Sequence, residues 1–129
     1  MTLSLQKAAA DTVRVYCLQH APLEACGLVV SDGGGQRVIV MANVERSETL
    51  YRFDPQEQLK VWHEIEDSDE RIVAIFHSHT ATTAQPSSTD LVYAADPGVS
   101  QLICSTSHDQ LRSWRVVDGQ ATEEPIELV

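Results

Sequence analysis

Apolar side chains recur at Leu5, Ala9, Val13 and Tyr16, and Pro22 follows shortly after. That three-to-four-residue period predicts an amphipathic helix over residues 3–18 with one face laid on a sheet. The pattern then changes. "ACGLVVS" and "RVIVMANV" are short apolar runs of strand character, and "DGGGQ" between them predicts a hairpin. No GxGxxG spacing is present and no helix opens after Gly33–Gly35, so these glycines read as a turn rather than a phosphate loop.

"DPQEQLKVWHEIEDSDE" predicts a second helix, with Asp54 as N-cap, Pro55 in the first turn and Leu59, Trp62 and Ile65 marking its faces. Trp62 is expected to pack and His63 to face solvent. "RIVAIFHSH" is β-branched and apolar on both faces, as a covered central strand would be. A short helix through "LVYAAD" is stopped by Pro97 and Gly98. "SQLICST", "QLRSWRVVD" and "ATEEPIEL" then predict three more strands, with Asp118-Gly119 as a tight turn. The expected architecture is α/β, a mixed sheet flanked by helices.

Length and charge narrow this picture. With 129 residues, the chain fits a single domain, 1–129, with a real core and little room for a second one. Nine basic against nineteen acidic side chains give a formal charge of -10, which disfavours nucleic acid and anionic membrane surfaces as partners. The N-terminus has neither a basic leader nor a continuous apolar core, and the expected location is cytoplasmic. Cys17, Cys26 and Cys104 are odd in number and widely spaced, so reduced, buried thiols are expected rather than a disulfide framework or a zinc knuckle.

"HSHTATTAQPSSTD" carries the candidate chemistry. Side chains alternate along a strand, so His77 and His79 share one face while Ser78 points away. A catalytic zinc takes three nitrogen or oxygen ligands and leaves a fourth position open, and Asp90 offers a carboxylate on the segment that turns back. The same residues also fit a plainer reading, in which Ser87 is an N-cap, Asp90 lies in the first turn of a helix, and the histidines are polar residues at a strand end. The two readings are compatible, since a cap would hold Asp90 in place. His20, His63 and His108 lack partners at ligand spacing. On the residues alone Glu24, between a proline and a strand, reads as a surface glutamate, and Cys26 as an inert thiol without an adjacent base.

His77-Ser78-His79, seven residues, Ser87, two residues and Asp90, together with the upstream "LEACGLVV", resemble the JAMM (MPN-plus) zinc metalloproteases. The resemblance implies His77, His79 and Asp90 as ligands of one Zn²⁺ per chain. It further implies Glu24 as general acid and base, Ser87 as a hydrogen-bond donor to the oxyanion, and a cytidine-deaminase-like α/β fold. "NVERSETLYRFDPQEQLKVWHEIEDSDE" and "LRSWRVVDGQATEEPIE" are similar to an actinobacterial branch of that family. Its members release cysteine from the C-terminal Gly-Gly tail of a CysO-type ubiquitin-like sulfur carrier in cysteine biosynthesis. Thr80 stands where a proline is common in the wider family, as it does in this branch, and lies outside the implied ligand set. Such a carrier is the implied partner. A JAMM isopeptidase for another ubiquitin-like protein and a non-catalytic MPN scaffold are the alternatives. A nucleobase deaminase would need HxE and PCxxC, which the chain lacks. Arg46, Arg52 and Lys60 are candidates to meet acidic groups of the substrate, with a solvated surface role as the plainer reading. A tail threaded to the site is expected to add to an exposed strand edge.

Overall fold

The structure, a computed structural model, describes residues 1–94 and 96–129. The described elements run β1 (Leu3–Leu5), α1 (Lys7–His20), β2 (Cys26–Ser31), β3 (Gln36–Met41), α2 (Pro55–Glu66), β4 (Arg71–His79), α3 (Ser88–Tyr93), β5 (Ser100–Ser105), β6 (Gln110–Val117), β7 (Gln120–Glu124) and β8 (Ile126–Leu128). Strands β3-β2-β4-β5-β6-β7 form one mixed sheet, in which β4 and β5 are parallel, while β1 and β8 pair separately. The expected mixed sheet flanked by helices is therefore observed. No helix among the described residues is long and apolar enough to cross a membrane.

Three boundaries differ from expectation. Residues 3–5 are not the start of the first helix. Leu3 and Leu5 point inward as a short strand that pairs in parallel with Ile126 and Leu128, and the helix begins at Lys7. Such pairing spans nearly the whole chain and leaves no trace in a local period. "ATEEPIEL" is two strands rather than one, because Pro125 has no N–H to donate to a ladder and divides β7 from β8. The last helix also ends earlier than expected, at Tyr93, and Ala95 of the expected segment lies outside the described residues.

Other local signals hold. The β2–β3 hairpin is antiparallel across the glycine turn. Asp54 accepts the Gln56 N–H at 3.0 Å as the N-cap of α2, with Pro55 in the first turn. Asp118 and Gly119 both have positive φ (51° and 75°), as a two-residue hairpin of matched twist requires. Trp62, partly buried, packs against the core, and His63 is exposed.

The sheet is covered on both faces. Ala9, Ala10, Val13 and Cys17 of α1 pack on Val29, Ala74, Phe76 and Leu102, whereas Ile65 of α2 packs on Leu28, Val30, Met41 and Phe53. β4 lies inside the sheet, so its residues alternate between two buried layers: Phe76 lies on the α1 side and Ile75 on the α2 side. This alternation carries His77 and His79 out on the α2 side, while Ser78 turns to the other face and accepts the Ala25 N–H at 2.8 Å.

Gly27 lies opposite Phe76 in the β2–β4 register, and a Cβ there would collide with the Ile39 carbonyl oxygen and the Phe76 ring. Gly27→Ala is expected to destabilise the protein by about 1–3 kcal/mol through overpacking. The measurement is a urea titration, with a lower midpoint at unchanged slope. A midpoint equal to the parent's would show that β3 and Phe76 give way freely.

Candidate metal centre

The end of β4 and the start of α3 meet at one point. His77 is 1 % exposed and His79 5 %, and the Asp90 side chain comes back over them from α3. Asp90 Oδ2 lies 3.1 Å from His77 Nε2 and 3.0 Å from His79 Nε2, and the two Nε2 atoms are 3.2 Å apart. The sequence-predicted trio thus converges through three donor atoms, forming a group that can hold a metal ion.

The turn that returns Asp90 is built locally. Ser87 Oγ accepts the Asp90 N–H at 3.1 Å, and Asp90 Oδ2 accepts the Ser87 N–H at 2.9 Å, a reciprocal capping box. The cap and the candidate ligand are therefore the same carboxylate. The intervening loop is pinned as well: Trp114 Nε1–H donates to Ala84 O at 2.9 Å, and Gln110 Oε1 accepts the Ala84 N–H at 3.0 Å.

The donor chemistry fits a cation. His79 Nδ1–H faces the Thr83 carbonyl at 2.8 Å, which in the neutral ring leaves Nε2 as a lone pair aimed at Asp90. Lone pairs and a carboxylate oxygen crowded within 3.2 Å repel unless a proton or a cation lies among them. A tetrahedral zinc with bonds of about 2.0–2.1 Å would space its donors about 3.3 Å apart, close to the separations seen here. Burial works against the charged form of each group. It holds His77 below the usual imidazole range; for His79 the Asp90 carboxylate and the Thr83 carbonyl outweigh it and raise the value. The bonds from His77, His79 and the Ser87 N–H likewise outweigh burial at Asp90 and hold it well below the usual carboxylate range.

Glu24 is not a surface residue. It is 4 % exposed, and its Oε1 is buried without a hydrogen-bond partner. Burial pushes its carboxyl up to about 8, with His79 drawing it down and Asp90 pushing it further up, so it lies within electrostatic reach of the trio. Both of its backbone polar groups are tied to the loop after β3. Its N–H donates to Ser47 O at 2.8 Å, and its carbonyl accepts from Asn43 Nδ2 at 3.1 Å. Asn43 was not singled out by sequence, and no periodic or motif signal marks it.

The remaining candidates supply no donor to the trio. Cys17, Cys26 and Cys104 are free and buried, and burial pushes the Cys26 thiol up to about 12, away from nucleophilic use. Arg52 Nε donates to Glu45 at 2.9 Å, Lys60 is exposed on α2, and exposed Arg46 lines a cavity of about 210 Å³ with Tyr16, Glu24 and Asn43. His20, His63 and His108 are all exposed, away from the trio. Of the two sheet edges, β3 and β7, the end of β3 is nearer the site: Met41 pairs with Cys26, which pairs with His77.

Known proteins share this sequence and shape. The chain is 49% identical over 133 residues to the CysO-cysteine peptidase of Mycobacterium tuberculosis (strain ATCC 25618 / H37Rv), covering 98% of this chain and 91% of that protein. It is 32% identical over 111 residues to the desampylase of Haloferax volcanii, covering 80% of each. Among solved structures, protein DSY2949 from Desulfitobacterium hafniense superposes with a TM-score of 0.85 at 31% identity, over 100% of this chain and 93% of that one. AF2198, a JAB1/MPN domain protein from Archaeoglobus fulgidus, superposes with a TM-score of 0.64 at 16% identity over 98% and 99% of the two chains, which makes the fold that of JAB1/MPN domains. The family model for prokaryotic homologs of the JAB domain matches residues 6–117, spanning β2, β4 and α3 with the whole His-His-Asp trio, and the chain belongs to that family.

Proposed function

We propose that the protein is a zinc-dependent metallopeptidase that hydrolyses the C-terminal glycyl-cysteine amide of a CysO-type ubiquitin-like sulfur carrier, releasing cysteine for cysteine biosynthesis. It is a hydrolase of the peptidase kind, as its family membership and its relatives indicate. The observation that carries the mechanism is the convergence of His77, His79 and Asp90, with a buried Glu24 carboxyl, its Oε1 without a hydrogen-bond partner, inside their electrostatic reach. The 49% identity to a CysO-cysteine peptidase over almost the whole chain supports the choice of substrate.

His77, His79 and Asp90 would hold the metal. When bound there, zinc would supply a Lewis acid and lower the pKa of a nearby water from about 15.7 towards about 7. Glu24 takes a proton from the attacking water, and the oxygen adds to the carbonyl carbon of the carrier's last glycine. Ser87 Oγ already accepts the Asp90 N–H, so its own proton is free to donate to the developing oxyanion. Glu24 then returns the proton to the departing cysteine amine, and the carrier leaves as its free acid. An extended tail adding along the β3 edge would arrive near Glu24.

The test is mass spectrometry of a carrier–cysteine adduct incubated with zinc-loaded protein. A carrier lighter by one cysteine residue mass, together with free cysteine, is expected, and an intact adduct would sink the assignment. The similarity to a desampylase supports a second reading, an isopeptidase for another ubiquitin-like protein. A panel of carrier conjugates separates the two. Retention of the trio and Glu24 together weighs against a non-catalytic scaffold.

A further inference from the structure

The two imidazoles of the candidate centre are held by different means. His79 is oriented by a hydrogen bond, its Nδ1 lying 2.8 Å from the Thr83 carbonyl, the arrangement by which metal-binding histidines are usually fixed in plane and tautomer. His77 has no such bond, because its Nδ1 is buried without a partner. Apart from the Nε2 contact to Asp90 itself, no polar contact stops the ring from turning about its Cβ–Cγ bond. What lies against it is the Tyr51 ring, stacked at a centroid distance of 4.5 Å and an interplanar angle of 22°.

Tyr51 is itself held from both sides. Asn43 Nδ2 donates to the carbonyl of Leu50 at 3.0 Å, and Asn43 Oδ1 accepts the N–H of Arg52 at 3.1 Å, so both flanking residues are pinned to one side chain. Val44 N–H also donates to Arg52 O at 3.0 Å. Tyr51 also meets Phe53 edge-on at 5.7 Å, and Phe53 packs against Trp62 of α2 at 6.1 Å. The aromatic series runs from the helix to the imidazole. The Asn43 amide that braces it also holds the Glu24 carbonyl at 3.1 Å, so one side chain relates the base to the plane of His77.

We propose that Tyr51 is the positioning residue of His77. Its ring face replaces the missing hydrogen bond, fixing the imidazole plane so that Nε2 meets the metal together with His79 and Asp90. This rests on the metal-centre reading above. The role belongs to the ring and not to the hydroxyl, so Tyr51→Phe preserves it, whereas Tyr51→Leu fills similar space without a flat face.

The experiment uses the full chain and zinc alone, with the dissociation constant measured by competition against a chromogenic chelator. The parent and Tyr51→Phe are expected to bind alike. Tyr51→Leu, still folded by circular dichroism, is expected to bind about 10-fold more weakly, the low end of the effect of removing an outer partner of a metal ligand. Its cobalt-substituted form is expected to show a weakened, shifted visible spectrum. Tyr51→Leu binding as tightly as the parent with an unaltered cobalt spectrum overturns the proposal, as does Tyr51→Phe binding as weakly as Tyr51→Leu. Should Tyr51→Leu not fold, proton NMR of the metal-free parent decides: the stack requires the His77 ring protons to be displaced upfield by the Tyr51 ring current, and their absence upfield refutes it. Failure of the metal reading is distinguishable, because the parent itself would then bind no zinc.

Discussion

Glu24→Gln will lower kcat on a carrier–cysteine adduct by about 10²–10⁴-fold, the usual contribution of a positioned general acid and base, while the purified protein retains its zinc. Glutamine has the shape of glutamate but cannot take up and return a proton. The backbone of residue 24 is fixed by Ser47 and Asn43 whatever the side chain carries, so the site is expected to stay assembled. Single-turnover kinetics with elemental analysis of the same sample makes the check, and activity near the parent's would remove Glu24 from the mechanism. The substitution has a second signature. In the metal-free protein the Glu24 carboxyl is raised from its ordinary value to about 8, whereas in the unfolded chain it returns to about 4.5. Between those values the folded state keeps a proton that the unfolded state has released, so stability falls as pH rises from about 4.5 through about 8. Glu24→Gln lacks this proton. The difference in urea midpoint between variant and parent should therefore move in the variant's favour as pH rises through that window, and a constant difference would contradict the raised carboxyl.

Asp90→Ala will abolish stoichiometric zinc binding and with it the activity. Asp90 Oδ2 reaches His77, His79 and the Ser87 N–H at 3.1, 3.0 and 2.9 Å, so its loss removes a candidate ligand and one half of the capping box together. A lost cap costs about 0.5–2 kcal/mol, so the metal-free variant should also be measurably less stable. Asp90→Asn separates the two effects. An amide oxygen still accepts the Ser87 N–H, keeping α3 capped, but it lacks the negative charge that favours a dication. Zinc content and metal-free urea midpoints of both variants make the measurement. Asp90→Ala holding one zinc per chain would place the metal elsewhere.

Much of this centre was legible in one short stretch because its parts are local. Strand alternation puts His77 and His79 on one side of β4, and a serine three residues before an acid gives α3 its cap. The apolar character of "RIVAIF" on both faces was enough to expect β4 in a covered, internal position. Glu24 is the opposite case. It lies 53 residues before His77 and reads on its own as a surface acid, and the family resemblance around "EACG" was the signal that marked it. Tyr51 and Asn43 lie in the stretch that resembles the actinobacterial branch, but neither falls in a repeating pattern and the resemblance gave neither of them a role.

Residue order within single elements accounts for the helices and strands, the turn at Asp118-Gly119, the capped return of Asp90 and the shared face of the two histidines. These depend on dihedral preferences and on side-chain spacing over a few residues, which adjacent letters encode. The pairing of β1 with β8, the burial of the Glu24 carboxyl and the stacking of Tyr51 on His77 arise from segments far apart in the chain. Desolvation, a raised proton affinity and the plane of an imidazole are properties of what surrounds a group. Those surroundings exist only once the sheet, the two covering layers and the loop after β3 have closed on one another.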